Sequence, residues 1–386
     1  MILLLVLIYL AFIGLGLPDS LLGSAWPAMY GGLGVPIERA GLISIILSAG
    51  TVVSSLFSDR TVRRFGAGKV TAVSVALTAA ALLGSSFSGD YWLLCVLAVP
   101  LGLGAGSVDA VLNNFVALHY KASHMSWLHC FWGVGASLGP AAIAAGLAWF
   151  GSWNAGYRMV GAALFALAGV LTLSLPLWRK APEAERTENS KKGVPIRVLF
   201  KLPGAKQVLL SFVFYCSLEA TVGLWGSTYL VTVRGVEATV AAGWISLYYA
   251  GITFGRLLSG FAALKVGGRQ LIHLGQALVL AGIAVTLLPG FFTPAGLFLT
   301  GLGLAPIYPS LVHDTPANFG REHSQAMIGF QMAFAYAGAT CMPPLFGLLG
   351  AKVTYGLLPV FLAALLAMMV LMVVRLYQKT GKQRSE

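Results

Sequence analysis

Charge is what this sequence has least of. Only 10% of its 386 residues are Asp, Glu, Lys or Arg, where a soluble domain averages roughly 25%. That scarcity excludes an ordinary water-soluble globule. Cysteine is also sparse: Cys95, Cys130, Cys216 and Cys341 all fall in apolar segments, with no spacing for a metal site or a secreted disulfide framework. The six histidines are scattered and form no H-E-x-x-H or similar pair. No metal, no cofactor and no enzymatic centre are therefore expected. Acidic residues number 13 against 25 basic ones, a net charge of +12. The excess does not point to nucleic acid, because the lysines and arginines sit in short loops and at the tail.

What is abundant is apolar. Hydrophobic residues make up 58% of the chain, and 47 glycines besides allow close helix packing in lipid. Stretches long enough to cross about 30 Å of hydrocarbon fall near 3–30, 38–58, 70–88, 91–118, 126–150 and 156–178, then 207–233, 239–264, 270–288, 292–313, 324–350 and 354–376. The expected fold is an all-α membrane protein with twelve transmembrane helices in two six-helix bundles, residues 1–178 and 207–386. A cytoplasmic linker at 179–206 joins them, its polar core at 181–193 having no apolar period. The first run has no basic flank or small-residue cleavage site, so it reads as a span and not a removable signal. With both termini cytoplasmic, every Lys and Arg but Arg39, Arg158, Arg234 and Lys352 lies on the inner side.

The halves read as copies. Ala40-Gly-Leu-Ile-Ser44 returns as Ala242-Gly-Trp-Ile-Ser246, and Asp19-x-x-x-Gly23 as Glu219-x-x-x-Gly223. Gly102-Leu-Gly104 returns as Gly301-Leu-Gly303, and Gly135-Ala-x-x-x-Pro140 as Gly338-Ala-x-x-x-Pro343. One register holds all four pairs. A duplicated six-helix half is the architecture of a rocking transporter whose substrate site lies near the midplane between the repeats.

One stretch stands out: Gly102-Leu-Gly-Ala-Gly-Ser-Val-Asp109-Ala-Val-Leu-Asn113-Asn114. Gly102 and Gly106, four apart, share a face that admits another helix. Asp109 and Asn113, also four apart, can serve one site. A carboxylate at that depth costs roughly 2.5–3.5 kcal/mol on the insertion scale, and such groups mark ion or substrate pathways more often than packing. Burial also favours a carboxyl that holds and releases a proton.

The twelve spans, the basic segment Asp59-Arg60-Thr-Val-Arg63-Arg64 after span 2 and its reduced echo Gly255-Arg256 resemble the major facilitator superfamily. Ser55 stands where that family commonly has glycine. Within the family the chain is similar to the fucose–proton symporter group, which includes glucose and mannose carriers, some of them sodium-coupled. The likeness is carried by Leu17-Pro-Asp19-Ser-Leu-Leu22, the Asp109 stretch, Leu128-His-Cys-Phe-Trp-Gly-Val-Gly-Ala136 and Ile307-Tyr-Pro-Ser310.

The resemblance implies proton coupling at Asp109 and Asp19, and a gate at Asp59, Arg60, Arg63, Arg64 and Arg256. In that gate Asp59 binds a helix end in the other half. His129 and Trp132 fall where fucose carriers have a glutamine and an asparagine, which argues against fucose itself. Glu219 is read either as lining the site or as binding an intramembrane partner. Trp225 and Tyr249 are candidate cavity aromatics, because a sugar's C–H face lies well on a ring. Asn113, Asn114, His129 and Gln331 are candidate hydroxyl partners.

The expected protein is a monomeric plasma-membrane (bacterial inner-membrane) secondary transporter importing a small neutral sugar with a proton, or sodium, and binding no nucleic acid. The alternative is a proton-driven efflux antiporter for drugs or metabolites, since one fold serves both.

Overall fold

The structure, a computed structural model, describes residues 2–35, 39–179, 194–236, 238–288 and 292–383. The polar linker core at 181–193 and the last tail residues lie outside them. The first half of the chain holds α1 (Ile2–Asp19), α2 (Leu21–Met29), α3 (Ala40–Phe65), α4 (Ala67–Ser85), α5 (Tyr91–His119), α6 (Ala122–Phe150), α7 (Trp153–Leu173) and the short α8 (Leu175–Arg179). The second half holds α9 (Ile196–Leu199), α10 (Ala205–Thr232), α11 (Ala238–Ala262), α12 (Gly268–Thr286), α13 (Phe292–Leu304), α14 (Ile307–His313), α15 (Thr315–Phe319), α16 (Arg321–Lys352) and α17 (Leu358–Gln383).

Among the described residues there is no strand, and eleven helical stretches are long and apolar enough to cross a membrane. α11, at 25 residues, is a further long helix, completing two sets of six. The fold is all-α and spans the membrane many times.

Two spans are broken, each by a proline whose ring removes an N–H donor. α1 carries Pro18 and ends at Asp19, one residue before α2. In the tenth span Ala305 and Pro306 separate α13 from α14. The repeat partners α10 and α5 run straight through these levels. The second span extends further than its apolar run, because charge alone does not end a helix. Asp59, Arg60, Arg63 and Arg64 are thus on the last turns of α3 and not in a loop. Gly66 ends the helix with φ +82°, a conformation open to glycine.

By its contacts the chain divides into two units. One is Met1–Phe115 with Phe131–Val194, the other Val116–Cys130 with Pro195–Glu386. The division therefore cuts α5 and α6 as well as the linker. Residues 116–130 join the second unit through ring contact of Trp127 with Phe261 (5.3 Å) and a hydrogen-bonding contact of 3.2 Å between His313 Nε2 and the Tyr120 carbonyl.

The internal repeat is written in backbone contacts. A Cβ at Gly102 would collide with the Leu47 carbonyl, and one at Gly301 with the Tyr248 carbonyl. Gly135 meets the Ile13 carbonyl as Gly338 meets that of Val213. Each unit thus closes its equivalent helix pairs on the same glycines, with no side chain between the backbones. Gly102→Val and Gly301→Val are each expected to lower thermal stability in detergent. Overpacking costs about 1–3 kcal/mol even where side chains can yield, and here the obstacle is backbone. A melting curve for each variant checks it.

Candidate functional site

In the first unit, glycine packing brings α5 against α3. Gly106 leaves room only for the Thr51 carbonyl and the Ser54 and Ser55 hydroxyls, and Ser55 Oγ donates to the Gly106 carbonyl at 3.1 Å. The serine that replaces a common glycine thus has its own use, pinning the two helices at the level of the acid. Asp109 follows within one turn and is 5% exposed. Its Oδ1 accepts a hydrogen bond of 2.7 Å from Asn113 Nδ2, which also donates to the Asp109 carbonyl at 2.9 Å. The pairing read from the four-residue spacing is present. Asn113, a candidate hydroxyl partner, is fully buried with its amide N–H on the Asp109 carboxylate. Asn114 beside it is likewise buried.

Asp19, the last residue of α1, is exposed, and its Oδ2 accepts a 2.8 Å hydrogen bond from Trp132 Nε1 on α6. Ser20, at the break, donates from Oγ to the Ala136 carbonyl at 2.7 Å. The helix end and its acid are thereby tied to the fifth span. Sequence reasoning marked Trp132 only as a departure from asparagine. The indole N–H offers the acid a donor, as an amide would.

In the second unit, Glu219 of α10 and Arg256 of α11 form an ion pair at 3.4 Å between Oε1 and Nη2. Arg256, expected as part of the gate, lies buried inside α11. The pair lets a guanidinium sit within an apolar helix. Glu219 thus has an intramembrane partner, Arg256.

Tyr248, fully buried, donates its hydroxyl to the Glu219 carbonyl at 3.2 Å, holding α10 and α11 together at this level. Tyr308 of α14 packs its ring against His129, Phe212 and Tyr215 at 4.9, 5.0 and 5.5 Å, and its hydroxyl donates to Met332 Sδ. In the register that pairs Gly102 with Gly301, Tyr308 is the repeat partner of Asp109. The repeat register alone could have found it. One half places a carboxylate there and the other a phenol.

Two further expectations are corrected. Gln331 is fully buried, and its amide both donates to and accepts from Thr315 Oγ1 at 2.9 and 3.1 Å, so it joins α16 to α15. Trp225 donates its N–H to the Pro343 carbonyl at 2.7 Å and stacks on Tyr355 at 5.3 Å, which makes it a packing anchor between α10 and α16. Both were mid-span polar or aromatic residues by sequence, and tertiary partners claimed them. His129 is buried against Tyr308, while Tyr249 is 49% exposed.

Within the first unit both Asp59 oxygens are engaged. Oδ1 accepts from Arg63 Nε at 2.8 Å and Oδ2 from the Val194 backbone N–H at 3.0 Å. Arg60 and Arg64 lie over the Phe57 and Phe65 rings at 5.4 and 5.2 Å. The carboxylate expected to hold a helix end binds, in this structure, the chain just after the linker's polar core.

Two like sets of membrane-crossing helices, each with acids set inside its apolar spans, define a polytopic carrier. The family model described as Major Facilitator Superfamily matches residues 8–311, and the chain belongs to that family: it is a membrane transporter, not an enzyme. The glucose/mannose transporter GlcP of Bacillus subtilis (strain 168) is 22% identical over 308 residues, covering 78% of this chain and 77% of that protein.

Solved structures share the fold. The FucP transporter in its outward conformation aligns with a TM-score of 0.76 at 13% identity, over 96% of this chain and 97% of its own. The proton:xylose symporter XylE, bound to 6-bromo-6-deoxy-D-glucose, aligns at 0.77 and 13% identity, over 97% and 95%.

Proposed function

We propose that this protein imports a small neutral sugar together with a proton, by alternating access, across a bacterial inner membrane with both termini in the cytoplasm. The observation that carries the reading is Asp109, a carboxylate 5% exposed inside an apolar helix and clamped by the Asn113 amide. A buried acid held in place this way is suited to take up and release a proton without moving the helix around it.

Asp19 serves as the second coupling acid, at an exposed helix end, with Trp132 setting the orientation of its carboxylate. Glu219 and Tyr249 offer a hydroxyl acceptor and a ring to the cargo, and His129 and Asn114 border the path. Asp59 and Arg63 hold the inner end of α3. The similarity to a glucose/mannose transporter supports a hexose. The net absence of a second-half acid in the Asp109 register supports coupling from the first half.

The test is counterflow in proteoliposomes with hexoses, pentoses and deoxysugars, followed by uptake under a pH gradient and, separately, a sodium gradient. Exchange of at least one neutral sugar is expected, with accumulation under the pH gradient. Exchange of none of them ends the sugar reading, and accumulation under sodium alone ends the proton reading.

A further inference from the structure

At one end of the second unit Lys206, Arg375 and Lys379 are exposed, and among the described residues none of them has an ion-pair partner. We propose that the groove between α10 and α17 holds one anionic phospholipid of the surrounding bilayer. The three cations bind its phosphodiester, and Leu210, Met368 and Leu371 meet its acyl chains. The occupant lies on the lipid-facing surface of the carrier, apart from the acids inside the spans.

The groove depends on a glycine. Gly204, at φ +86°, precedes α10, and a Cβ there would come within 2.9 Å of Leu376 Cδ1 and 3.1 Å of Thr380 Cγ2 on α17. The first turn of α10 therefore lies against the last turns of α17. Lys206 is in that first turn, and Leu210, one turn further along the same face, is 37% exposed. On α17 the buried Leu376 and Thr380 face α10. Arg375 and Lys379 each stand one residue before them and share the exposed face. Met368 and Leu371 continue that face into the span, at 43% and 39% exposure.

The surface thus changes from cationic to apolar over about one helical turn, ~5.4 Å. A phospholipid presents the same order, a charged phosphate followed by hydrocarbon. Arg and Lys bind phosphate oxygens through charge-assisted hydrogen bonds, and a soluble anion would leave the apolar stripe uncovered. Asp314, which also reaches α17, does not neutralise the cations. Its Oδ2 accepts from the Tyr377 hydroxyl at 3.0 Å, and Tyr377, two residues from Arg375, is on the opposite side of that helix.

Lys206 is also a departure from the repeat. In the register that pairs Asp19 with Glu219 its counterpart is Val6, which is 46% exposed on α1. Both halves show this position to lipid, and only the second puts a cation there. On the orientation proposed above the lipid belongs to the inner leaflet, whose anionic headgroups attract basic residues beside the membrane. The site itself does not depend on which way the chain crosses.

The experiment titrates the full-length protein in detergent with dioleoyl-phosphatidylglycerol and counts bound lipid by native mass spectrometry. One saturable lipid is expected. Dioleoyl-phosphatidylcholine should bind about tenfold more weakly or worse, having no net charge, and inorganic phosphate should not displace the anionic lipid. Lys206→Gln, Arg375→Gln and Lys379→Gln should each weaken binding about fivefold, and the triple variant about a hundredfold. Arg269→Gln supplies the control. It removes the same charge from the same end of the unit, but Arg269 lies over the Tyr377 ring at 5.1 Å, on the other side of α17. Its affinity for the lipid should equal that of the wild type.

An equal loss in Arg269→Gln would reduce the effect to general attraction toward a basic surface and overturn the proposal. Displacement by inorganic phosphate would overturn it as well, since the cations would then form a soluble-anion site. Equal binding of the two lipids, or wild-type affinity in the triple variant, would do the same.

Discussion

Asp109→Asn is expected to abolish accumulation of sugar while sparing exchange. The amide keeps the size of the side chain and can still bond Asn113, so the close approach of α5 to α3 through Gly102 and Gly106 should survive. What disappears is titration. A pH difference of one unit is worth about 1.4 kcal/mol per proton, enough for about a tenfold gradient of cargo. A membrane potential of about 100 mV adds about 2.3 kcal/mol per charge moved. With Asp19 left as the remaining coupling acid the proton path is incomplete, so that drive has no route to act through and the internal sugar concentration should level with the external one. Counterflow needs no net proton movement and should continue. The pH dependence that Asp109 gives to sugar binding should vanish. Uptake and counterflow measured on one preparation decide the matter: wild-type accumulation in Asp109→Asn, with an unchanged pH profile, would remove Asp109 from the mechanism.

Arg256→Ala should be the most damaging single change to the stability of the second unit. It leaves the Glu219 carboxylate inside the membrane span without the cation 3.4 Å away. Removing one member of a buried ion pair costs about 3–5 kcal/mol, and the partial exposure of Glu219 places the effect toward the lower end. Glu219→Gln/Arg256→Met removes both charges and is expected to recover most of the loss, because a neutral apolar pair carries no unpaid desolvation. Thermal unfolding in detergent, followed for Glu219→Gln, Arg256→Met and the double, reads this directly. Additive losses in the double variant would mean that the two residues do not act as a pair.

The two acids of the repeat register show why equivalent positions need not share a role. Asp19 sits at a helix break, exposed and held by a neutral N–H donor. Glu219 sits in an unbroken helix facing a cation. The first carboxylate faces a neutral donor, the second a fixed cation.

Much of the fold followed from composition. A 10% charged chain with twelve apolar runs has few ways to satisfy its backbone in lipid other than helices, so span number and repeat were legible directly. The glycine pattern was legible too, since a four-residue spacing puts Gly102 with Gly106 and Asp109 with Asn113 on shared faces whatever the neighbours are. Partners were another matter. Nothing local tells that Gln331 would find Thr315, that Trp225 would spend its N–H on Pro343, or that Arg256 would be drawn into its helix by Glu219, 37 residues away. A polar side chain inside a membrane takes whichever donor or acceptor the packed helices bring within reach. Which one that is depends on helix rotation and tilt, set by contacts over the whole unit. The sequence alone determined that acids lie inside the spans and at what heights; only the tertiary structure decided which are clamped, which are charge-paired and which stay exposed.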